Sequence, residues 1–234
     1  MGFPEDSYQD LITSGELCWV GMVGEKTRTG CFADFKGLET PLLFGNGDDD
    51  DEYMREVASS YGTASSADYI FARGTFRLRD RDSEASNEQA AQTPEQQQRL
   101  MDEFRDAMSV ASKRGLKMLV SNPDLVRPDG KDSPMPGQLG ATYTSMGGDV
   151  TYVGKPHNYI YDHALEVLRK EFGVTDPSRV CGIGDVMYTD ILGARDAGME
   201  SVLIADGVHA SELGIDQGLG SKPTHDSLRA LLVQ

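Results

Sequence analysis

Residues 181–199 read Cys181-Gly-Ile-Gly-Asp185-Val-Met-Tyr-Thr-Asp190-Ile-Leu-Gly-Ala-Arg-Asp-Ala-Gly198-Met. An apolar strand ends at Gly184, so Asp185 lies at the carboxyl end of that strand, where open α/β sheets bind ligands. Asp190 lies five residues further on, at the mouth of the next predicted helix. Two carboxylates there predict a Mg²⁺ site, since this ion typically takes one or two carboxylates with water and phosphate oxygens. Spacing alone fits equally well a loop acid at Asp185 and a helix-entry acid at Asp190 that stabilises exposed N–H groups.

A second strand end lies upstream, at Val153-Gly-Lys155-Pro156-His157. A lysine between glycine and proline at that point would neutralise a phosphate or the negative charge of a nucleophile. The commoner role of such a lysine is a solvated side chain before a helix. Together the two patterns place one cation, Lys155, and two anions, Asp185 and Asp190, along one edge of a sheet.

Strands alternate with helices along most of the chain, which is typical of parallel βαβ units in an α/β fold. A helix from Pro94 to about Lys113 has its apolar residues on one face, and Gly115 follows where a left-handed C-terminal residue is expected. Residues 79–98 are polar and rich in Ser, Gln and Glu, which predicts a linker or loop without chemistry. The other predicted strands cover residues 8–13, 40–45, 67–72, 117–121, 149–153, 179–183 and 201–205, and the other predicted helices begin near residues 52, 156 and 190.

The motifs resemble those of one hydrolase superfamily. Gly154-Lys-Pro156 and Gly184-Asp-x-x-x-Thr-Asp-Ile-x-Gly-Ala-x-x-Ala-Gly-Met199 are similar to the third and fourth motifs of haloacid dehalogenase-like phosphatases. The likeness is greatest to the subclass that includes nucleotide, phosphoglycolate and 4-nitrophenyl phosphatases. Three other segments resemble that subclass's core strand before the cap, its return from cap to core, and its segment after the last core strand. In that order, the core strand before the cap corresponds to Tyr8–Glu16, and the return to the core corresponds to Asn122-Pro-Asp124 with Pro136-Gly137. The segment after the last core strand corresponds to Gly207–Leu213.

The resemblance implies an α/β fold in which an incomplete Rossmann-like core, with a parallel sheet, carries an inserted α/β cap domain. Residues 1–30 would be a core remnant consisting of a strand and a helix. Residues 31–139 would be the cap domain, with its polar loop near residues 79–98. Residues 140–234 would be the main part of the core.

The chemistry implied by the resemblance is Mg²⁺-dependent phosphoryl transfer through an aspartyl-phosphate. Lys155 would be the catalytic lysine that counters the charge of the nucleophile and the phosphate. Asp185 and Asp190 would form the metal site, Asp185 by coordinating Mg²⁺ and Asp190 directly or through water.

The family's first motif, an Asp-x-Asp that supplies the nucleophile and the general acid/base, lies upstream of the strand predicted at residues 8–13, as does the second-motif Thr or Ser. We therefore predict that this chain does not contain the nucleophile. Asp48–Asp51 contains Asp-x-Asp twice, but four consecutive acids are typical of a solvated turn or helix start, and Asp80-Arg-Asp82 lies in the polar loop. Without the first-motif strand, the strand at 179–183 loses a hydrogen-bonding partner. This predicts a chain that is marginally stable or is completed by another chain.

The predicted function is that of a phosphatase-like protein that acts on phosphomonoesters of small metabolites and whose activity depends on the nucleophile motif. One alternative is a non-catalytic binding or interaction protein, which the missing nucleophile favours, and another is a truncated gene product. A pure scaffold would have no need of Lys155, Asp185 and Asp190. No recognition pattern in residues 31–139 identifies the substrate, and an oligomer is compatible with the sequence.

The composition restricts the classes of partner and compartment. Asp and Glu number 38 against 22 Lys and Arg, for a formal charge of −16. This balance argues against nucleic acid and anionic membranes, which attract basic surfaces. No apolar run approaches the ~18 residues of a membrane span, and the first residues lack the basic and apolar regions of a secretory signal. Three cysteines without metal-like spacing are typical of reduced thiols, so we expect a cytoplasmic protein.

Overall fold

The computed structural model describes residues 4, 7–24, 28–47, 49–79, 93–125, 134–215 and 222–232. The chain forms two compact units, the first made of residues 1–154 and the second of residues 155–234. This division falls 15 residues after the predicted start of the main core at residue 140. The assignment of residues 1–30, 31–139 and 140–234 to core and cap stays a prediction. Most of the predicted loop near residues 79–98 lies outside the described residues. Its last five residues, 94–98, are helical, so the loop prediction is wrong there.

The first unit is an α/β sheet structure. Its strands are β1 (Pro41–Gly45), β2 (Tyr69–Ala72), β3 (Arg77–Arg79), β4 (Lys117–Val120) and β5 (Asp149–Tyr152), and its helices are α1 (Ser14–Met22), α2 (Asp50–Met54), α3 (Pro94–Lys113) and α4 (Pro136–Ser145). The described strands form one sheet in the order β3-β1-β2-β4-β5. The pairs β1–β2, β2–β4 and β4–β5 are parallel, and only β3 runs antiparallel to its neighbour. Parallel strands with intervening helices confirm the predicted α/β class.

Helix α3 begins at the predicted residue and buries the apolar face that its sequence predicts. Thr93 accepts a hydrogen bond from the backbone N–H of Gln96, whose side chain accepts one from the N–H of Thr93, so the helix begins with a complete capping box. Phe104, Met108 and Ala111 are buried on the predicted apolar face. They pack into a core with side chains of β1, β2 and β4. Burial of this face against the sheet stabilises the helix more than its intrinsic propensity does.

The predicted strand at residues 8–13 is wrong. The structure has no strand in this stretch, and α1 begins directly after it, with the side chain of Thr13 accepting a hydrogen bond from the N–H of Glu16. A strand is stable only when its backbone pairs with a neighbour, and within the described residues none pairs with residues 8–13.

The second unit carries the residues that the motifs singled out. Its elements are α5 (Asn158–Phe172), β6 (Cys181–Gly184), a π-helical turn (Met187–Ile191), α6 (Leu192–Asp196), β7 (Glu200–Leu203) and α7 (His225–Leu232). β6 and β7 are parallel, with Ile183 opposite Val202. The predicted helix from residue 190 is a π-helical turn followed by a short α-helix. Helix α5 ends at Phe172, and Gly173 after it has a left-handed conformation (φ 67°). π-Helical turns are frequent at functional sites.

The sheet of the second unit leaves apolar side chains exposed. Among the described residues, β6 pairs with β7 alone. Ile183 and Val202, which lie side by side on one face of this sheet, are 68% and 48% exposed. On α5, the apolar side chain of Phe172 is 53% exposed. No helix in the described part of the chain combines the length and the apolar character needed to cross a membrane.

Candidate active site

Asp190 is the centre of the hydrogen-bond network at the end of β6. Its Oδ2 accepts hydrogen bonds from the backbone N–H groups of Asp185 and Val186, each at 3.1 Å. The carboxylate lies so close to Gly184 that a Cβ at this glycine would come within 2.3 Å of its carboxyl carbon. Glycine at the end of β6 is therefore a requirement of this contact, and Asp190 sets the path of the backbone that follows the strand.

Lys155 completes the environment of Asp190. Its Nζ lies 2.5 Å from Oδ1 of Asp190, on the side of the carboxylate away from the two backbone N–H groups. The side chain of Lys155 is 49% exposed, whereas that of Asp190 is 12% exposed. Both oxygens of Asp190 thus accept hydrogen bonds from the chain, and the ammonium group of Lys155 is held at the end of β6 with access to solvent.

Asp185 has a different set of contacts. Its Oδ2 accepts a hydrogen bond from the backbone N–H of Val208 at 3.0 Å. A Cβ at Gly207 would come within 2.4 Å of the Asp185 side chain, so the segment after β7 approaches this carboxylate closely. No other described residue donates to the Asp185 carboxylate, which leaves Oδ1 available for a ligand.

These residues fit part of a Mg²⁺ site. No cluster of three or more His, Cys, Asp or Glu side chains that could hold a metal ion occurs among the described residues. Mg²⁺ does not require such a cage, because it usually keeps several waters and binds one or two carboxylates together with phosphate oxygens. In this arrangement Asp185 offers an oxygen without a described donor, while both oxygens of Asp190 already accept hydrogen bonds. The direct coordination of Mg²⁺ by Asp190 stays a prediction.

Tyr161 supports the π-helical turn and was not identified from the sequence. Its hydroxyl donates to the carbonyl oxygen of Thr189 at 3.0 Å, and its ring lies where a Cβ at Gly193 would be. Burial raises the pKa of Tyr161 to about 12, so the hydroxyl keeps its proton and remains a donor at neutral pH. The sequence gives no signal for this contact, because Thr189 lies 28 residues from Tyr161.

The acidic run at residues 48–51 has a structural role in the first unit. The predicted helix start is correct, since α2 begins at Asp50, but the predicted solvation is wrong for that residue. Asp50 is fully buried, accepts the N–H groups of Asn46 and Gly47 at 2.9 Å each, and forms an ion pair with Arg73. Asp50 is therefore not a free nucleophile; Asp80 and Asp82 lie outside the described residues.

Comparisons with known proteins support the likeness inferred from the motifs. Residues 152–231 match the family model described as HAD-hyrolase-like. The chain is 33% identical over 123 residues to the 5′-nucleotidase YutF of Bacillus subtilis, covering 51% of this chain and 45% of that protein. It is 36% identical over 85 residues to chronophin of Rattus norvegicus, covering 36% of this chain and 26% of that protein. The chain thus spans less than half the length of these curated relatives.

A solved structure extends the likeness to most of the chain. A hydrolase of the haloacid dehalogenase-like family from Brucella suis 1330 superposes with a TM-score of 0.65 at 25% sequence identity. The superposition covers 94% of this chain and 73% of the other. The resemblance drawn from Gly154-Lys-Pro156 and the 184–199 motif is therefore confirmed, as is the α/β fold class. The roles of Lys155, Asp185 and Asp190 and the missing first and second motifs stay predictions.

Proposed function

Since the chain is similar in sequence and fold to the haloacid dehalogenase-like hydrolases, we propose that its second unit supplies three groups of a phosphomonoester hydrolase: the lysine, the Mg²⁺-binding carboxylate and the carboxylate that orients both. The observation that carries this proposal is the double role of Asp190. One of its oxygens fixes the backbone at Asp185 and Val186, and the other holds the ammonium group of Lys155. Through Asp190, the ammonium group of Lys155 and the carboxylate of Asp185 are both held at the loop that follows β6.

Each residue then has a defined task. Lys155 presents a half-exposed positive charge that can pair with a phosphoryl oxygen. Asp185 offers its free oxygen to the ion, and Asp190 orients both groups without contacting the substrate. When bound, Mg²⁺ would neutralise charge that develops on the phosphoryl oxygens. Asp190 also keeps Lys155 from moving away when the site is empty, which reduces the rearrangement needed for substrate binding.

The remaining parts of the proposal concern the whole protein. We take the substrate class to be small phosphorylated metabolites, and the activity named for YutF makes nucleoside 5′-monophosphates the first compounds to test. Residues 31–139 would form the cap, residues 1–30 and 140–234 would belong to the core, and the protein would work in the cytoplasm. The structure shows Cys18, Cys31 and Cys181 as free thiols.

The test is hydrolysis of a chromogenic phosphate ester by the purified chain, with and without MgCl₂. Mg²⁺-dependent turnover that falls at least ~100-fold in Asp185→Ala would support the proposal, because electrostatic groups of an active site typically contribute that much. It would also overturn the prediction that this chain lacks the nucleophile. Asp162→Ala is the matched control, since Asp162 is exposed on α5, and it should keep the activity of the wild type. Urea unfolding of each variant checks that lost turnover is not lost folding.

The same assay decides between the proposal and its alternative. A folded chain without turnover on any ester would contradict the hydrolase function and favour a non-catalytic binding protein. In that case Mg²⁺ titration of the wild type and Asp185→Ala still shows whether the carboxylate binds the ion. Equal turnover in Asp185→Ala and the wild type would contradict the assigned role of Asp185.

A further inference from the structure

The segment after β7 makes two separate contacts with the loop that carries Asp185. The N–H of Val208 donates to Oδ2 of Asp185 at 3.0 Å, so one contact reaches the carboxylate itself. The next residue, His209, accepts a hydrogen bond at Nε2 from the backbone N–H of Met187 at 3.2 Å. The segment therefore holds both the side chain of Asp185 and the backbone two residues further on.

The second contact satisfies a group that helices leave without a partner. Met187 is the first residue of the π-helical turn Met187–Ile191, and the first N–H groups of any helix have no acceptor within the helix. The imidazole of His209 is that acceptor for Met187. Because the same turn contains Asp190, the position of its first residue affects the carboxylate that holds Lys155.

The surroundings of His209 define its hydrogen-bonding state and its orientation. An Nε2 that accepts a hydrogen bond carries no proton, so the proton of the neutral ring is on Nδ1. Nδ1 lies 3.2 Å from Oε2 of Glu212, which accepts that proton's hydrogen bond. The ring is only 4% exposed, and the ring of Tyr188 packs against it edge-on at 6.2 Å between centroids. The hydrogen bonds on both nitrogens and the packing of Tyr188 together fix the orientation of the His209 imidazole.

We propose that His209 is a positioning residue that holds the 185–191 loop in the conformation in which Asp185 binds the divalent ion. This inference rests on the proposed function, because it assumes that Asp185 is the metal-binding carboxylate. His209 touches neither the ion nor the substrate. It acts through Met187, in the way that groups behind metal ligands commonly orient them, and loss of such groups typically weakens metal binding 10–100-fold.

The first experiment measures the loop without any metal. Backbone hydrogen exchange of residues 185–191 is compared in the wild type, His209→Ala, His209→Gln and the control His225→Ala, whose histidine is exposed on α7. We expect exchange at least ~10-fold faster in His209→Ala, since the Met187 N–H loses its acceptor. The side-chain amide oxygen of glutamine reaches about as far as Nε2 and should restore most of the protection. Unchanged exchange in His209→Ala would overturn the proposal whatever the metal data show.

The second experiment measures binding of Mn²⁺, used as a probe for Mg²⁺, by calorimetry at a temperature where urea titrations show every variant folded. We expect the Kd of His209→Ala to rise about 10-fold, while His209→Gln and His225→Ala stay within about twofold of the wild type. Asp185→Ala separates the two hypotheses. If it abolishes binding while His209→Ala leaves the Kd unchanged, only the role of His209 is overturned. If Asp185→Ala binds Mn²⁺ like the wild type, the metal-site proposal fails, and the positioning role fails with it.

Discussion

Replacing Asp190 by alanine should disrupt the end of β6 more than any other single loss of a carboxylate in the second unit. The variant loses two charge-assisted hydrogen bonds to the N–H groups of Asp185 and Val186, each worth about 1.5–3 kcal/mol. The ion pair with Lys155, whose side chain is half exposed, adds at most ~1 kcal/mol. We therefore expect Asp190→Ala to lower the free energy of unfolding by about 3–7 kcal/mol. That is a large part of the ~5–15 kcal/mol that usually stabilises a domain.

Two assays separate local from global effects. Urea unfolding followed by circular dichroism gives the change in the free energy of unfolding, and hydrogen exchange of residues 181–191 reports the loop itself. Asp190→Asn keeps one side-chain oxygen as an acceptor for the backbone N–H groups, so it should lose only about 1–2 kcal/mol. Asp196→Ala is the control on the neighbouring α6, because Asp196 is exposed and pairs only with the adjacent Arg195 among the described residues. Its effect should stay within ~0.5 kcal/mol.

If Asp190→Ala and Asp196→Ala have the same stability, the structural role assigned to Asp190 is wrong. Equal stability would mean that water replaces the carboxylate without cost, so Asp190 could not be what fixes the backbone after Gly184. Unchanged exchange at residues 185–186 in Asp190→Ala would lead to the same conclusion. A loss in Asp190→Asn as large as that in Asp190→Ala would instead assign the effect to charge, with Lys155 as its main partner.

Two further predictions concern the acidic run of the first unit. Asp50→Ala removes the fully buried partner of Arg73 and should lower the free energy of unfolding in urea by about 3–5 kcal/mol. The control Asp51→Ala should lower it by ~1 kcal/mol or less, because the Asp51 carboxylate is 59% exposed. Equal losses in the two variants would contradict the structural role of Asp50. The hydrogen bond from Arg73 lowers the pKa of Asp49, so its stabilisation is full above the unfolded pKa of about 3.9 and is lost as the pH falls through the lower folded value. The difference in the free energy of unfolding between the wild type and Asp49→Asn should therefore be constant above about pH 5 and shrink below about pH 4. A difference independent of pH down to about pH 2 would show that Arg73 does not lower the pKa of Asp49.

The sequence predicted those elements whose stability depends on local pattern and burial. The α3 helix has its caps and its apolar face within 23 consecutive residues, from Thr93 to Gly115, so the pattern contains all that defines it. β1, β2 and β4 are short apolar runs buried on both faces, and their bounds agree within about two residues with the prediction. Residues 8–13 have a similar pattern and form no strand, because pairing depends on a neighbour that the pattern does not specify.

The spacing of the motif residues predicted that Lys155 and Asp190 lie close together, but not the contacts of the other residues around them. Lys155 and Asp190 are hydrogen-bonded although 35 residues separate them in sequence. The predicted common sheet edge is wrong for the described strands, because β5 and β6 belong to different sheets. His209 and Tyr161 were missed because each acts through a single contact with a backbone group more than 20 residues away. Asp50 was misjudged for the same reason, since its partner Arg73 lies on the far side of β2 in the sequence. A residue's type and neighbours do not reveal which distant backbone group or charge it will meet.

The two acids of the motif can be assigned different tasks from their hydrogen bonds alone. The Asp190 side chain is 12% exposed, and each of its oxygens accepts a hydrogen bond, so an ion at this carboxylate would compete with Lys155 or with the backbone N–H groups. Asp185 keeps one oxygen free of described donors, and Lys155 is half exposed with further N–H groups to offer. The groups left available at the end of β6 are thus one anionic and one cationic. A phosphate ester with its Mg²⁺, the ligand class proposed above, would bring a cation to Asp185 and an anion to Lys155.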